Sequence, residues 1–308
     1  MATVNTAWDH VSSNIFKTYL IMFFFSIFAF GIVYLFALAM GFGETDVVGI
    51  LGFALIFIGI SNFISWYFSD KIVLAVSGAK PVTLESKKDL YRTVENLCIA
   101  AGLPVPKIYM IDDSAPNAFA TGRDPKHAVI CFTTGILSKL NKQELEGVTA
   151  HELSHIGNRD TLMMSVVSVL VGTIALLADW YMRSMFFGRG NSDRNNNSGP
   201  MMALGIVAAI LAPIVASMIQ LAVSRRREFL ADASGVLLTR YPEGLANALR
   251  KISSDREPLE VANRGTAHMY IINPLKGSQA LDGFAKLFST HPPIEERIKA
   301  LREMEGKF

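Results

Sequence analysis

Four long stretches of the chain, each of 18 residues or more, contain no charged residue. They cover residues 18–43, 47–69, 161–178 and 195–224, and the apolar part of the last one is 201–223. A helix needs about 17–25 predominantly apolar residues to cross the hydrocarbon core of a bilayer. The pattern therefore predicts about four transmembrane helices. Polar residues in the third and fourth stretches, such as Ser165 and Gln220, leave open that these two pack against protein or cross only part of the bilayer.

The polar segments between these stretches predict a small sheet followed by a helix. Residues 86–101 place apolar side chains on one helix face, and Gly102 ends that helix. Three segments are candidate strands because of their β-branched and aromatic side chains: 107–111, 117–122 and 127–132. Asn141, with Glu144 three residues later, is typical of a capped helix start. The predicted fold class is mainly α with a small β-sheet.

The composition is typical of a membrane protein. Hydrophobic residues make up 51% of the 308 positions and charged residues 18%, against about 25% charged residues in soluble domains. Such an apolar chain is not disordered, and two cysteines exclude a disulfide scaffold. Because 29 basic residues nearly balance 27 acidic ones, we expect no nucleic-acid partner. The first apolar run is too long for a secretion signal and is expected to stay as an anchor in the lipid bilayer.

Basic residues beside the spans predict the orientation in the membrane. Lys71 and Lys80 follow the second span, and three arginines from Arg225 follow the fourth. The loop between the first two spans has two acidic residues and no basic one. Loops rich in lysine and arginine stay in the cytoplasm, so both termini and segment 70–160 are expected there. Three arginines between the third and fourth spans count against full translocation of that loop.

The most specific motif is His151-Glu152-Leu153-Ser154-His155, on the helix that Asn141 opens. Residues four apart share a helix face, about 6 Å apart along the axis. Both imidazoles can therefore bind one zinc ion. Glu152 can reach the open side of the metal and take a proton from a water molecule as it attacks a carbonyl. One zinc ion per chain is the expected cofactor.

Zinc needs a third protein ligand, which the pattern places on a later helix. A third histidine of the H-E-x-x-H-x-x-G-x-x-H type is excluded, because residue 158 is Asn and residue 161 is Thr. Glu228 and Asp232 are like charges one helical turn apart, a repulsion that a metal and its histidines would relieve. We expect Glu228 to bind zinc and Asp232 to accept a ligand histidine's ring N–H. The alternative is a solvated acidic pair beside the neighbouring arginines.

The metal hypothesis also predicts the domain organisation. His155 and Glu228 must meet at one ion, and the two predicted spans between them return the chain to the same side of the membrane. Segments 70–160 and 225–308 are therefore expected to form one catalytic domain. The other regions are two N-terminal membrane helices in 1–69 and a membrane hairpin in 161–224, with a flexible loop over 183–200.

These motifs resemble the HtpX family of bacterial membrane zinc metallopeptidases, and more distantly the zinc-type CAAX prenyl proteases. The resemblance covers nearly the whole chain. Its motifs are HELSH at 151–155 with NRD at 158–160, REFLAD at 227–232, NAFATG at 117–122 and HPPIEERI at 291–298. Several motifs in the same order are more specific than the zinc motif alone.

The resemblance implies a zincin-like catalytic domain of the gluzincin type in a multi-pass protein of the bacterial inner membrane. It implies a zinc endopeptidase that cleaves damaged or misfolded membrane proteins, or unfolded polypeptides, at the cytoplasmic face as part of a stress response. It also implies that His291 steadies the oxyanion and that Arg297 is a partner for Asp232. An edge strand would receive the substrate as a further strand, and its residues are Asn117, Ala118, Phe119 and Ala120.

Two other functions stay open at this stage. A protease of prenylated peptides would use the same chemistry, although four spans contrast with the larger membrane chamber of those relatives. A non-catalytic membrane protein with a structural zinc site is the other. Structural zinc sites usually close with four protein ligands, whereas the three named here leave a place for water. Glu152 would have no purpose in a purely structural site.

Overall fold

The computed structural model describes residues 7–187, 199–222, 225–262, 266–274 and 292–307. His291 and residues 188–198 of the predicted loop lie outside these ranges. The helices are α1 (Ala7–Ala39), α2 (Glu44–Val76), α3 (Lys88–Ala101), α4 (Thr134–Lys139), α5 (Lys142–Gly157), α6 (Asp160–Phe187), α7 (Gly199–Ala222), α8 (Arg225–Thr239), α9 (Pro242–Ser254) and α10 (Ile294–Arg302). The strands are β1 (Lys80–Pro81), β2 (Lys107–Ile111), β3 (Ala118–Thr121) and β4 (Val129–Thr133). The predicted fold class, mainly α with a small sheet, is confirmed.

Within the described residues, three helices are long and apolar enough to cross a membrane: Ser12–Ala39 in α1, Glu44–Val76 in α2 and Asp160–Ser184 in α6. The fourth predicted span falls in α7, whose apolar segment Met202–Ala212 is shorter than a full span within the described residues. The predicted boundaries of the loop 183–200 are wrong at both ends, because α6 continues to Phe187 and α7 already begins at Gly199. Helix α6 continues beyond Arg183, its last charged residue, into the uncharged residues 184–187.

The membrane helices differ in how far they are buried. In the most apolar 18-residue segment of α6, 61% of the residues are buried, whereas in the corresponding segment of α2 only 11% are buried. The ring of Tyr181 on α6 stacks on that of Phe36 on α1, with centroids 4.1 Å apart. On α2, Phe53 and Leu55 are 79% and 67% exposed. An apolar surface this exposed is typical of contact with lipid, so α6 lies inside the bundle and α2 faces outward.

The sheet has the strand order β1-β2-β4-β3. Strand β4 is parallel to β2 and antiparallel to β3, with Ala118 opposite Phe132. The predicted strand 127–132 begins two residues later than expected. The side chain of Asp124 caps a 3-10 turn over Pro125–His127, which uses that backbone in a turn before the strand begins. This order places β3 at the edge of the sheet that faces the helices.

One hydrophobic core contains residues of both polar segments. Val94, Ile130 and Val148 come from the first segment, and Leu249 and Leu301 come from the second. Helix α5 lies in this core, and its start has the predicted capping box between Asn141 and Glu144. A Cβ at Gly147 would lie 2.7 Å from the backbone nitrogen of Leu245 on α9. The absence of a side chain at Gly147 therefore lets the two helices pack backbone to backbone.

Candidate metal centre and active site

Helix α5 carries both histidines of the motif into the interior. His151 and His155 are 1% and 3% exposed. The one-turn spacing brings their Nε2 atoms to 3.2 Å, with ring centroids 4.8 Å apart. Two imidazoles on one helix face are thus aimed at a common point.

Helix α8 brings Glu228 to the same point. Its carboxylate oxygens lie 3.4 Å from Nε2 of His155 and 3.9 Å from Nε2 of His151. One ligand atom from each residue lies within 4.8 Å of the others. A tetrahedral zinc ion with bonds of about 2.0–2.1 Å separates its ligand atoms by about 3.3 Å. The three side chains therefore have the spacing that such an ion needs.

The outer nitrogens of the two histidines both face carboxylates. Nδ1 of His151 lies 2.9 Å from Oδ1 of Asp232, and Nδ1 of His155 lies 3.2 Å from Oδ2 of Asp160. A carboxylate beside Nδ1 holds the ring proton there. When both rings are neutral, each Nε2 presents a lone pair to the other at 3.2 Å, a repulsive contact that a proton or a metal ion between them relieves. The donor set therefore fits a metal ion.

Glu152 is buried beside this pair. Among the described residues, neither of its carboxylate oxygens has a hydrogen-bond partner. Burial raises the pKa of Glu152 to about 8, and the neighbouring Glu228 also raises it. The backbone amide of Ala120 on β3 is close enough to lower this pKa somewhat, although no hydrogen bond of normal geometry forms. A buried carboxyl without partners costs stability, and such a cost is typical of functional sites.

Arg297 supports the acidic residues from the C-terminal helix α10. Its Nε and one terminal nitrogen donate to the two oxygens of Asp232 at 2.8 and 2.7 Å. Its other terminal nitrogen lies 3.1 Å from Glu228 and donates to the carbonyl of Ile271 at 3.0 Å. Burial alone would raise the pKa of Asp232, but Arg297 and His151 hold it below the usual range. One guanidinium thus fixes the carboxylate behind His151 and a predicted metal ligand together.

Sequence reasoning missed two residues around His155. Asp160, the first residue of α6, supports His155 as Asp232 supports His151. Asn14 on α1 donates to Oδ1 of Asp160 at 2.9 Å and to the carbonyl of Asn158 at 2.8 Å. Arg159 adopts φ 61°, and this turn between α5 and α6 returns Asp160 to the histidine. Asp160 belongs to the NRD motif noted above, whereas a single Asn near the start of an apolar helix gives no signal.

A segment of the same chain already covers part of the predicted substrate strand. The carbonyl of Ala118 accepts a hydrogen bond from the amide of Ile271 at 3.0 Å. Phe119 and Tyr270 form an antiparallel bridge, and the side-chain amide of Asn117 donates to the carbonyl of Ile272. Every residue of β3 is buried. Of the four residues predicted to receive substrate, Ala120 has the backbone amide that lowers the pKa of Glu152.

His127 and the two cysteines do not belong to the group of possible metal ligands among the described residues. His127 is half exposed and pairs with Asp124 three residues before it. Cys98 and Cys131 are buried free thiols, and burial raises the pKa of Cys98 to about 11. Among the described residues, the group that could hold a metal ion is His151, His155 and Glu228. His291 lies outside the described residues.

Two histidines from one helix, a glutamate from another and a buried carboxylate beside them define the class of metal-dependent peptidases with the H-E-x-x-H motif. Residues 85–305 match Peptidase family M48. The chain belongs to this family, and it is a membrane metalloendopeptidase, as the motifs predicted.

Similar proteins cover nearly the whole chain. A "Protease HtpX homolog" of Thermoanaerobacter pseudethanolicus is 45% identical over 303 residues, which are 97% of this chain and 98% of that protein. One of Dictyoglomus thermophilum is 45% identical over 299 residues, 97% and 95% of the two chains. One of Pyrococcus furiosus is 48% identical over 245 residues, 79% and 82%. The crystal structure of S. mikatae Ste24p aligns with a TM-score of 0.49 at 21% identity, covering 93% of this chain and 66% of that one.

Proposed function

We propose that this protein is an HtpX-like zinc endopeptidase of the bacterial inner membrane. It cleaves damaged or misfolded membrane proteins at the cytoplasmic face. The observation that carries this proposal is the pair of histidine Nε2 atoms, 3.2 Å apart, with a carboxylate oxygen of Glu228 3.4 Å from one of them. Beside them lies Glu152, whose carboxylate has no hydrogen-bond partner among the described residues. Three ligands and a free carboxylate suit a catalytic site better than a structural one.

In this proposal His151, His155 and Glu228 hold the zinc ion. Zinc, when bound, lowers the pKa of water and polarises a carbonyl. The carboxylate of Glu152 takes the proton from the attacking water and passes it to the nitrogen of the leaving amine. Burial favours such an exchange, because it raises the pKa of Glu152 to about 8 and so brings it near the working pH. Asp232 and Asp160 hold the two imidazoles in the tautomer that leaves Nε2 free for the metal.

The substrate backbone would lie along β3. The backbone amide of Ala120 acts on Glu152, so a peptide added at this residue would bring its scissile bond to that carboxylate. To pair with Ala118 as well, the substrate must replace the amide of Ile271 on the Ala118 carbonyl. His291 is proposed to steady the oxyanion, a role carried over from the family resemblance.

The site's position supports membrane proteins as substrates. Helix α6, a candidate span, begins at Asp160, which contacts the histidine motif directly. Helix α1, another candidate span, reaches the same carboxylate through Asn14. A centre at the ends of two membrane helices lies where polypeptide leaves the bilayer. The basic residues that flank the spans support the proposal that this face lies in the cytoplasm.

The decisive experiment compares wild type with Glu152→Gln, each purified in detergent, loaded with zinc and incubated with an unfolded polypeptide. Glu146→Gln is the matched control, because Glu146 is a partly exposed residue of the same helix. We expect the control to cleave like wild type and Glu152→Gln to lose at least about 100-fold while still binding zinc. Equal cleavage by all three would refute the proposed role. Cleavage of a prenylated peptide alone would favour the CAAX-type alternative.

A further inference from the structure

We propose that Asn14, on the first membrane helix, is a positioning residue of the metal site. It holds Asp160 in the orientation in which that carboxylate fixes the ring of His155. The inference rests on the proposed metal function of His155. Asn14 lies 137 positions before His151, the first residue of the histidine motif, and the proposal makes it part of the same site.

The geometry of Asn14 carries this assignment. Its Nδ2 has two hydrogens, and each has a partner: the carbonyl of Asn158 at 2.8 Å and Oδ1 of Asp160 at 2.9 Å. The other oxygen of Asp160, Oδ2, lies 3.2 Å from Nδ1 of His155. Asn14 is 7% exposed and Asp160 is fully buried. The side-chain amide of Asn14 on α1 therefore bonds to both sides of the turn between α5 and α6.

The contact fixes which oxygen of Asp160 faces the histidine. The carboxylate has two equivalent oxygens and a broad torsional preference, so burial alone does not set its plane. Asn14 takes one oxygen, and Arg227 lies 3.6 Å from that same oxygen. The second oxygen is left for the imidazole, which is then held with Nε2 toward His151 and Glu228. Groups that orient a metal ligand in this way typically contribute 10–100-fold to metal affinity.

The position of Asn14 in the sequence supports a specific role. A buried amide in an otherwise apolar helix is costly unless its hydrogen bonds are satisfied. In the described part of the chain, the side-chain amide of Asn14 donates to Asn158 and Asp160, both next to the metal site, while its backbone carbonyl accepts a bond from Thr18 on the same helix. The first membrane helix thus completes the support of His155, in addition to its part in anchoring the protein.

The test uses the full-length protein in detergent and the variant Asn14→Leu, which keeps the approximate size of the side chain and removes both donors. Asn62→Leu is the matched control. Asn62 lies on α2 and donates to Ser26 at 2.7 Å in the membrane bundle, so its loss reports the general effect of removing an amide from a membrane helix. Zinc affinity is measured by competition with a chelator, and thermal unfolding of the metal-free protein is measured in parallel.

We expect Asn14→Leu to weaken zinc binding by about 10-fold or more, with Asn62→Leu within about twofold of wild type. Thermal unfolding of the two metal-free variants should shift by similar amounts. Zinc affinity unchanged in Asn14→Leu, or reduced equally in Asn62→Leu, would overturn the proposal. If wild type itself bound no zinc, the proposed function would fail first, and the two failures are therefore distinguishable.

A double-mutant cycle tests the route through Asp160 and does not depend on the size of either single effect. If Asn14 acts through Asp160, then Asn14→Leu combined with Asp160→Asn should weaken zinc binding no more than Asp160→Asn alone. Losses that multiply would show that Asn14 acts independently of this carboxylate and would contradict the proposal.

Discussion

Arg297 and Asp232 form a buried bidentate ion pair with hydrogen bonds of 2.7 and 2.8 Å, and Asp232 also contacts Nδ1 of His151. The guanidinium is fully buried and also contacts Glu228. Two carboxylates therefore share one cation. This pairing offsets the repulsion between the acidic residues even before a metal binds.

Replacing Arg297 by Met should destabilise the protein by about 3–5 kcal/mol, because it leaves buried carboxylate charge without its partner. Arg297→Lys should also lose stability, since an ammonium cannot make the two parallel bonds to Asp232. Chemical unfolding in detergent measures both. Arg302→Lys on the same helix is the control, because its pair with Glu243 is exposed and should change stability by less than about 1 kcal/mol. Comparable losses at the two positions would contradict the buried role.

Gly235 sets the distance between α8 and α5. A Cβ added there would lie 3.0 Å from the backbone nitrogen of His151, a group that a helix cannot easily move. We expect Gly235→Ala to push α8 outward by a few tenths of an ångström and to weaken zinc binding, because Glu228 moves with α8. Chelator competition measures this change.

Gly172→Ala is the matched control for that substitution. No described atom lies within 4 Å of a Cβ at Gly172 on α6, so the alanine should be neutral or stabilise the helix by up to about 1 kcal/mol. Zinc affinity unchanged in Gly235→Ala would show that α5 and α8 adjust without disturbing the ligands.

Zinc affinity should rise with pH. Burial lowers the pKa of His155, but Asp160 and Glu228 outweigh it and raise that pKa to about 10 in the metal-free site. At neutral pH this histidine therefore carries an extra proton, which must leave before Nε2 can bind a metal. The apparent affinity should increase by about tenfold per pH unit as long as the pH is below that pKa. Competition titrations between about pH 6.5 and 8.5 cover this range.

The Asp160→Asn variant gives the control for the pH dependence. Without the carboxylate, the pKa of His155 should fall, and the rise in zinc affinity should level off at a lower pH. An affinity for zinc that is independent of pH in wild type would contradict a protonated His155 in the metal-free site.

Local spacing explains which parts of the site were predictable. His151 and His155 are neighbours because any helix makes them so, and the capping box at Asn141 marked where that helix begins. The acidic pair of Glu228 and Asp232 follows from the same one-turn rule. Each of these contacts joins residues of a single helix, so the spacing in the sequence is enough to predict it.

The contacts of Asn14 and of Ile271 depend instead on tertiary packing. Asn14 and Asp160 are 146 positions apart in the sequence. A single asparagine in an apolar helix does not indicate which residue its side chain will contact. The carbonyl of Ala118 meets the amide of Ile271 only because the segment around Tyr270 folds back along β3. An edge strand that looks open in the sequence is thereby partly covered. Contacts between residues so far apart in the sequence depend on how the helices pack. The hydrophobic periodicity of each segment does not predict them.

The covered edge of β3 leads to a prediction about substrate binding. In the free enzyme the amide of Ile271 is buried and bonded to Ala118, so it should exchange slowly with deuterium. A substrate that extends β3 must take over the Ala118 carbonyl. Binding of an unfolded polypeptide to the Glu152→Gln variant should therefore accelerate exchange at Ile271, measured by hydrogen exchange with peptide-level mass spectrometry. The amide of Ile130 in β4, fully buried in the same sheet, should stay protected and serves as the internal reference. Protection that persists at Ile271 with substrate bound would place the peptide only against Ala120 and would rule out replacement of the covering segment.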